Sequence, residues 1–172
     1  MSEVTLEKIR EAAEVLKGIA RRTDMIYAPK LSIRSQVYLK TENLQITGSF
    51  KVRGAYYKLS TLTDEELSRG VIACSAGNHA QGVALGAQQR GAKAIICMPD
   101  IAPIAKVEAT KSYGAEVRLV PGTYDDASAY AAKLCHEENM TFVHPFDDPN
   151  VIAGQGTVGL EILEQLPDVE AV

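Results

Sequence analysis

The sequence predicts an α/β fold in which a parallel sheet carries helices on both faces. The first observation is a unit that repeats in kind from Gly70 onward: a short apolar run, a turn and then a helical pattern. The second is the alternation itself, because strands that alternate with helices of this length are typical of right-handed β-α-β crossovers. The apolar runs are VIACS, AIICMP, AEVRLV and TFVHP, and the helical segments after them are NHAQGVALGAQQR, IAKVEATKSYG, YDDASAYAAKLCHEEN and VIAGQGTVGLEILEQL.

The segment before these units predicts a helix, a strand and a second helix. Thr5 is a suitable N-cap, and the apolar residues after it keep to one helical face. QVYLK, residues 36–40, alternates like a short strand and leads into the polar, glycine-bearing loop TENLQITGS. Ser49 is placed to cap a helix through FKVRGAYYKL, so Lys51 is expected in the first turn of that helix.

Composition indicates a globular protein of about one domain. The chain has 172 residues, of which 46% are hydrophobic and 23% are charged. Its 18 Lys and Arg against 22 Asp and Glu give a net charge of -4, and no basic run stands beside aromatics, so nucleic acid is not expected as a partner. No apolar stretch reaches the roughly 20 residues that span a bilayer. The charged, amphipathic N-terminus is neither a signal peptide nor an anchor, and we expect a cytoplasmic protein.

Cysteine and aspartate patterns do not predict a metal site. The three cysteines are widely spaced and form no C-x-x-C pair, so they indicate neither a disulfide framework nor a zinc site. Cys74 and Cys97 lie inside apolar runs and are expected in the core. The pairs Asp125–Asp126 and Asp147–Asp148 fall at turns or helix starts, where capping is favoured over metal binding.

The segment CSAGNHAQG has the pattern of an anion-binding loop. An apolar strand ends there in Ser75, Ala76 and Gly77, and a helix begins at once with Asn78 and His79. A turn of small residues at a helix N-terminus leaves backbone N–H groups free at the positive end of the helix dipole. Ligands of open α/β sheets also collect at the carboxyl ends of strands. An ordinary turn in which Ser75 or Asn78 caps the helix is the alternative.

The segment TGSFKVRGAYYKL places Lys51 directly after a bulky aromatic, Phe50, and close behind a flexible Thr-Gly-Ser turn. A lone lysine near a helix start is commonly a solvated surface charge. A lysine in a partly desolvated site instead has a lowered pKa, which supplies the neutral amine needed for Schiff-base formation and proton transfer. Neither Lys51 nor the loop identifies a function by itself.

Together, four segments resemble the threonine dehydratase family in order and spacing, from about Leu16 to the end of the chain. They are TENLQITGSFKVRGAYYKL, CSAGNHAQGVAL, KVEATKSYGAEVRLV and HPFDDPNVIAGQGTVGLEIL. This family belongs to the fold type II group of pyridoxal phosphate enzymes, whose fold is like that of the tryptophan synthase β chain. Serine racemase, serine dehydratase and threonine synthase are relatives.

The resemblance implies a role for each residue of the two stretches. Lys51 is the implied catalytic residue, which holds pyridoxal phosphate as a Schiff base and removes the substrate's α-proton once it is freed. Phe50 is implied to pack near the cofactor, and Asn78 to hydrogen-bond the cofactor's 3-oxygen. The substrate carboxylate is implied to bind the loop of Ser75, Ala76, Gly77, Asn78 and His79, with His79 supporting the loop; a neutral, purely structural His79 is the alternative.

The implied reaction is dehydration of L-threonine to 2-oxobutanoate and ammonia, with L-serine as a secondary substrate. Serine racemase resembles this chain but carries a second serine where Ala76 stands, so Ala76 favours dehydration over racemisation. Two alternatives stay open. One is a serine dehydratase or racemase of the same fold, and the other is a non-catalytic fragment that binds a small anion or a partner subunit through the loop.

The resemblance also implies a division into domains. Residues 1–46 and 147–172 are expected to belong to a larger domain and residues 47–146 to a smaller, movable one. The segment DVEAV turns apolar where another strand is due, so we expect an N-terminal portion of a longer, homo-oligomeric enzyme. The glycine-rich loop for the cofactor phosphate is expected outside it. Within GQGTVGLEIL, we expect close helix packing through Gly154, Gly156 and Gly159.

Overall fold

The computed structural model describes residues 3–172, which form a parallel sheet, a small hairpin and the helices around them. The helices are α1 (Leu6–Val15), α2 (Lys51–Ser60), α3 (Asp64–Arg69), α4 (Asn78–Arg90), α5 (Ile104–Ser112), α6 (Tyr124–Glu137) and α7 (Pro149–Gln165). The strands are β1 (Met25–Tyr27), β2 (Tyr38–Lys40), β3 (Val71–Cys74), β4 (Ala94–Pro99), β5 (Glu116–Val120) and β6 (Thr141–Phe142). A short 3-10 helix spans Glu42–Leu44.

The main sheet has four parallel strands in the order β5-β4-β3-β6, which confirms the predicted fold class. The two central strands, β3 and β4, are buried along their whole length because helices cover both faces. Residues of α2, α4 and α5 form the core on one face, and α6 covers the other. Cys74 and Cys97 belong to the core under α6, as predicted.

The N-terminal elements agree with the predictions in part. Thr5 caps α1 by accepting a hydrogen bond from the Lys8 N–H, and the last three residues of QVYLK form β2. Strand β2 pairs antiparallel with β1, which the sequence analysis did not predict, and α3 was likewise not predicted. The prediction that DVEAV begins a strand is wrong for the described chain. Among the described residues, no strand lies beside residues 168–172 to pair with them, and a strand without a partner is not stable.

Glycines bring α2 close to both α7 and α4. A Cβ atom on Gly154 would lie 2.6 Å from the Gly54 Cα, so α2 and α7 cross with their backbones in contact. A Cβ atom on Gly82 of α4 would lie 3.0 Å from the Lys51 carbonyl oxygen. Close packing is also confirmed at Gly156, which faces Ile9, but a Cβ atom on Gly159 would meet nothing within 4 Å. The prediction of close packing is therefore wrong for Gly159.

One aspartate of each pair is confirmed as a capping group. Asp126 completes a capping box with Thr123 at the start of α6, and Asp148 accepts hydrogen bonds from two backbone N–H groups at the start of α7. Residues 3–172 bring together no cluster of three or more His, Cys, Asp and Glu side chains that suits a metal ion. Over the same range, every helix is too short or too polar to cross a membrane.

Candidate active site

Lys51 is the first residue of α2, and its side chain points to the segment after β6. The Ser49 hydroxyl oxygen accepts a hydrogen bond from the Lys51 backbone N–H at 3.2 Å. Phe50 occupies the N-cap position and no side chain caps the helix, so the prediction that Ser49 caps it is wrong. The Lys51 Nζ donates to the Pro145 carbonyl oxygen at 2.7 Å and lies 5.5 Å from the centre of the Phe50 ring. Burial lowers the pKa of the Lys51 amine, so its neutral form is more available than that of an exposed lysine.

The loop between β3 and α4 leaves the start of α4 without a side-chain cap. The helix begins at Asn78, with Gly77 in the N-cap position, and the Ser75 hydroxyl oxygen instead accepts from the Gly77 N–H at 3.2 Å. The alternative in which Ser75 or Asn78 caps this helix is therefore wrong. A Cβ atom on Gly77 would meet nothing within 4 Å, so the loop borders open space. Free N–H groups at a helix N-terminus suit an anion such as a carboxylate.

His79 lies behind this loop and fixes it to the segment after β6. Its side chain is buried, and its Nε2 donates to the Val143 carbonyl oxygen at 3.0 Å, since a carbonyl oxygen only accepts. The Nδ1 atom is buried without a hydrogen-bond partner among the described residues. Burial lowers the pKa of His79 to about 4, so the imidazole is neutral at pH 7. This geometry agrees with a supporting role for His79.

Asn78 and Ala76 complete the loop. Asn78 is exposed, and its Oδ1 accepts a hydrogen bond from the Lys106 Nζ of α5 at 3.1 Å. Ala76 is partly buried against the core between α4 and the sheet. The sequence analysis did not single out Lys106, because a lysine near the start of a predicted helix has the pattern of an ordinary surface residue.

The segment Val143–Asp147 is the third part of the candidate site, and the sequence analysis gave it no role there. Lys51 binds the Pro145 carbonyl and His79 binds the Val143 carbonyl. Carbonyls two residues apart lie within roughly 7 Å, so this segment brings Lys51 and the loop together. The His144 Nδ1 accepts from the N–H groups of Phe146 and Asp147, which holds the segment in a turn. The sequence could have indicated this segment, because it follows the predicted strand TFVHP and ligands of open α/β sheets bind at the carboxyl ends of strands.

A separate cleft of about 1000 Å³ lies between α1 and the second half of α7. Charged side chains line much of it, and none of the predicted site residues does. This cleft is therefore separate from the candidate site formed by Lys51 and the ends of β3 and β6.

Comparison with known proteins assigns the class. The family model described as "Pyridoxal-phosphate dependent enzyme" matches residues 16–172, so the chain belongs to the family of pyridoxal-phosphate dependent enzymes. Over 171 residues the chain is 53% identical to the L-threonine ammonia-lyase of Thermotoga maritima, covering 98% of this chain and 43% of that protein. It is 50% identical over 172 residues to the catabolic L-threonine dehydratase of Staphylococcus aureus, and the match covers 98% of this chain and 50% of that protein. The chain spans about half the length of these curated relatives.

Solved structures share the fold. Maize serine racemase superposes with a TM-score of 0.93 at 34% identity, covering 98% of this chain and 52% of that one. The processed form of threonine deaminase isoform 2 from Solanum lycopersicum gives a TM-score of 0.89 at 42% identity, and the match covers 95% of this chain and 46% of that one. The predicted resemblance to fold type II enzymes is thereby confirmed.

We expect acid to destabilise the protein through His79. The pKa of this histidine is about 4 in the folded protein against 6.5 for an unperturbed one, so the unfolded chain binds the proton more tightly. Stability is full above pH 6.5 and falls as the pH drops towards 4, with a loss of about 2 kcal/mol between pH 7 and pH 5. Urea unfolding at both pH values measures this loss.

The variant His79→Gln keeps a donor for Val143 but does not titrate in this range, so its loss of stability between the two pH values should be smaller by that amount. His136→Gln, which changes an exposed histidine near the end of α6, serves as the matched control and should behave like the wild type. An equal loss in His79→Gln and in the wild type would show that another group causes the acid sensitivity.

Proposed function

We propose that this chain carries the reactive lysine of a pyridoxal phosphate-dependent ammonia-lyase, and that the whole protein dehydrates L-threonine to 2-oxobutanoate and ammonia. The observation that carries the proposal is the partly buried Lys51 amine, with its lowered pKa, beside the uncapped loop at the end of β3. The two curated relatives, at 53% and 50% identity, are named for this reaction on threonine. L-serine is the proposed secondary substrate.

The residues of the site suit the cofactor. Schiff-base formation with the aldehyde of pyridoxal phosphate requires a neutral amine, and desolvation of Lys51 favours the neutral form. Asn78 is exposed at the start of α4, and its side chain has the donors and acceptors to bind the cofactor's 3-oxygen. Phe50 is 40% exposed next to Lys51, so an apolar ring is available to pack against the cofactor. When bound, pyridoxal phosphate supplies an electron sink that stabilises negative charge at the substrate's α-carbon.

The chain's own residues bind the substrate and move its proton. Backbone N–H groups of the loop from Ser75 to His79 hold the carboxylate at the positive end of α4. The neutral Lys51 Nζ takes the α-proton, and this amine is a competent base because its pKa is lowered. His79 stays neutral and holds the loop in place through Val143, so it adds no charge to the site.

Racemisation of serine is the second candidate, because maize serine racemase superposes with a TM-score of 0.93. In racemases of this family a serine stands where this chain has Ala76, and its hydroxyl serves as acid and base on the second face of the substrate. The Ala76 methyl group has no proton to transfer. Dehydration is therefore the favoured reaction.

The proposal extends to domains and assembly by resemblance. Residues 1–46 and 147–172 are proposed to belong to a larger domain, and residues 47–146 to a smaller one. The whole protein is proposed to be a cytoplasmic homo-oligomer. By the same resemblance, the cofactor phosphate is proposed to bind a glycine-rich loop.

The test is a comparison of three products from the purified whole protein with pyridoxal phosphate. L-threonine should yield 2-oxobutanoate, L-serine should yield pyruvate more slowly, and D-serine should not accumulate from L-serine. Formation of D-serine faster than both oxo acids would favour the racemase. A folded, cofactor-loaded protein that forms none of the three would contradict the proposal.

A further inference from the structure

Arg53 lies two residues after Lys51 in α2, and its guanidinium group is buried and fully hydrogen-bonded. Its side chain is 2% exposed. It makes a two-point contact with each of two carboxylates: Nε and Nη2 donate to Glu42 at 2.9 and 2.8 Å, and Nη1 and Nη2 donate to Glu161 at 2.6 and 3.0 Å. It also donates to the Thr157 hydroxyl at 3.1 Å and to the Arg21 carbonyl at 3.0 Å.

The two carboxylates have further partners, so the cluster is neutral as a whole. The Lys40 Nζ donates to Glu161 at 2.6 Å and to the Thr23 carbonyl at 2.6 Å. The Thr23 hydroxyl donates to Glu42 at 2.6 Å. Arg53 and Lys40 thus balance Glu42 and Glu161. The cluster joins α2 to the 3-10 helix, to β2, to the segment before β1 and to α7.

Arg53 is on the side of α2 away from the site. Residues two apart on an α-helix point about 200° apart, so Lys51 faces Pro145 while Arg53 faces Glu42 and Glu161. The backbone contact between Gly54 and Gly154 sets the distance between α2 and α7. Apolar side chains of α2 pack in the core, and the directional hydrogen bonds of Arg53 add a constraint on the rotation of α2 about its axis.

We propose that Arg53 is a positioning residue for Lys51: its paired contacts with Glu42 and Glu161 fix the first turn of α2 and so aim the Lys51 amine at the cofactor and substrate. This inference rests on the proposed function of Lys51. It assigns to Arg53 an effect on the reactivity of Lys51 beyond a contribution to stability. Buried ion clusters are a weak source of stability, and apolar side chains of similar volume often replace them without loss.

The conservative variant Arg53→Lys tests the proposal. Lysine keeps the positive charge but lacks the planar fork, so it cannot make both two-point contacts. In the whole protein, we expect kcat for threonine to fall by about tenfold to a hundredfold with KM little changed, because a misplacement near 1 Å costs on the order of a hundredfold in rate. Arg22→Lys is the matched control, since the ion pair of Arg22 with Glu164 is exposed, and it should leave kcat unchanged.

A second readout uses the cofactor-free protein and does not depend on turnover. Acetic anhydride labels neutral amines, so the pH dependence of labelling at Lys51, located by mass spectrometry, reports how its amine is held. Lys58 lies at the other end of α2 in an ion pair with Asp148 and is the internal reference. In Arg53→Lys, we expect the labelling midpoint of Lys51 to move to higher pH while that of Lys58 stays in place.

These readouts separate the two proposals. A wild type that forms no oxo acid while its Lys51 midpoint still responds to Arg53→Lys would contradict the proposed function and support the positioning role. An active wild type with an unchanged kcat and an unchanged Lys51 midpoint in Arg53→Lys would overturn the positioning role. An equal change in the labelling of Lys51 and of Lys58 would also overturn the positioning role, since a general loosening of α2 affects both lysines.

A four-residue variant covers the case in which Arg53→Lys does not fold. It combines Arg53→Met, Glu42→Gln, Glu161→Gln and Lys40→Met, and so removes all four charges together without leaving one unpaired. We expect it to fold and to show the same loss of kcat and the same shift at Lys51. A folded variant with wild-type kcat and labelling would overturn the proposal.

Discussion

Replacing Lys51 with alanine is expected to lower the rate of threonine dehydration by the whole protein by about a thousandfold or more. In the proposed function, the Lys51 amine bonds to the cofactor and takes the α-proton. The methyl group of alanine can do neither. The measurement is the rate of 2-oxobutanoate formation at saturating threonine. The far-ultraviolet circular dichroism of the variant should match the wild type, because Lys51 makes one side-chain hydrogen bond, to Pro145.

Lys133→Ala is the control for this prediction. Lys133 lies in α6 with 72% of its side chain exposed, so its loss should leave the rate within about twofold. Retention of more than a tenth of the wild-type rate in Lys51→Ala would exclude Lys51 as the reactive lysine. A loss of rate in both variants would point to a general effect of removing positive charge.

The substitution Gly154→Ala is expected to destabilise the protein by about 3 kcal/mol. The new Cβ atom would lie 2.6 Å from the Gly54 Cα and 2.7 Å from the Arg53 carbonyl oxygen, and both are backbone atoms of α2. Relief of this overlap requires α2 and α7 to separate, which also strains the contacts of Arg53 with Glu161. Urea unfolding gives the change in the free energy of unfolding.

Gly159→Ala is the matched control in the same helix. A Cβ atom there would meet nothing within 4 Å, so alanine should stabilise α7 by about 0.5 to 1 kcal/mol through its higher helix propensity. Opposite signs for the two substitutions are the expected result. Equal changes at Gly154 and Gly159 would contradict the close backbone crossing of α2 and α7.

The main sheet was predictable because its signals are local. Each apolar run before a turn and a helical pattern became a strand, and helix α4 has the bounds of the predicted segment NHAQGVALGAQQR. Lys51 and the loop after β3 were singled out by the family resemblance, since neither pattern is specific by itself. Strand β1 was missed because its three residues carry little periodic signal, and its pairing with β2 is set by register rather than composition.

The remaining parts of the site depend on contacts between distant residues. The Pro145 carbonyl meets Lys51 across 94 positions of the chain, and Glu161 meets Arg53 across 108. The sequence shows these residues but not that they are neighbours. Arg53 in particular has the pattern of a surface cation two residues from Lys51. Only the fold reveals that it is buried between two carboxylates.

The central claim is that Lys51 carries the cofactor, and reductive trapping tests it most directly. The purified protein is incubated with pyridoxal phosphate, reduced with borohydride and digested, and the modified lysine is located by mass spectrometry. We predict the phosphopyridoxyl group on Lys51 and its loss in Lys51→Ala but not in Lys133→Ala. Modification spread over exposed lysines, with Lys51 unmodified in the folded protein, would contradict the claim.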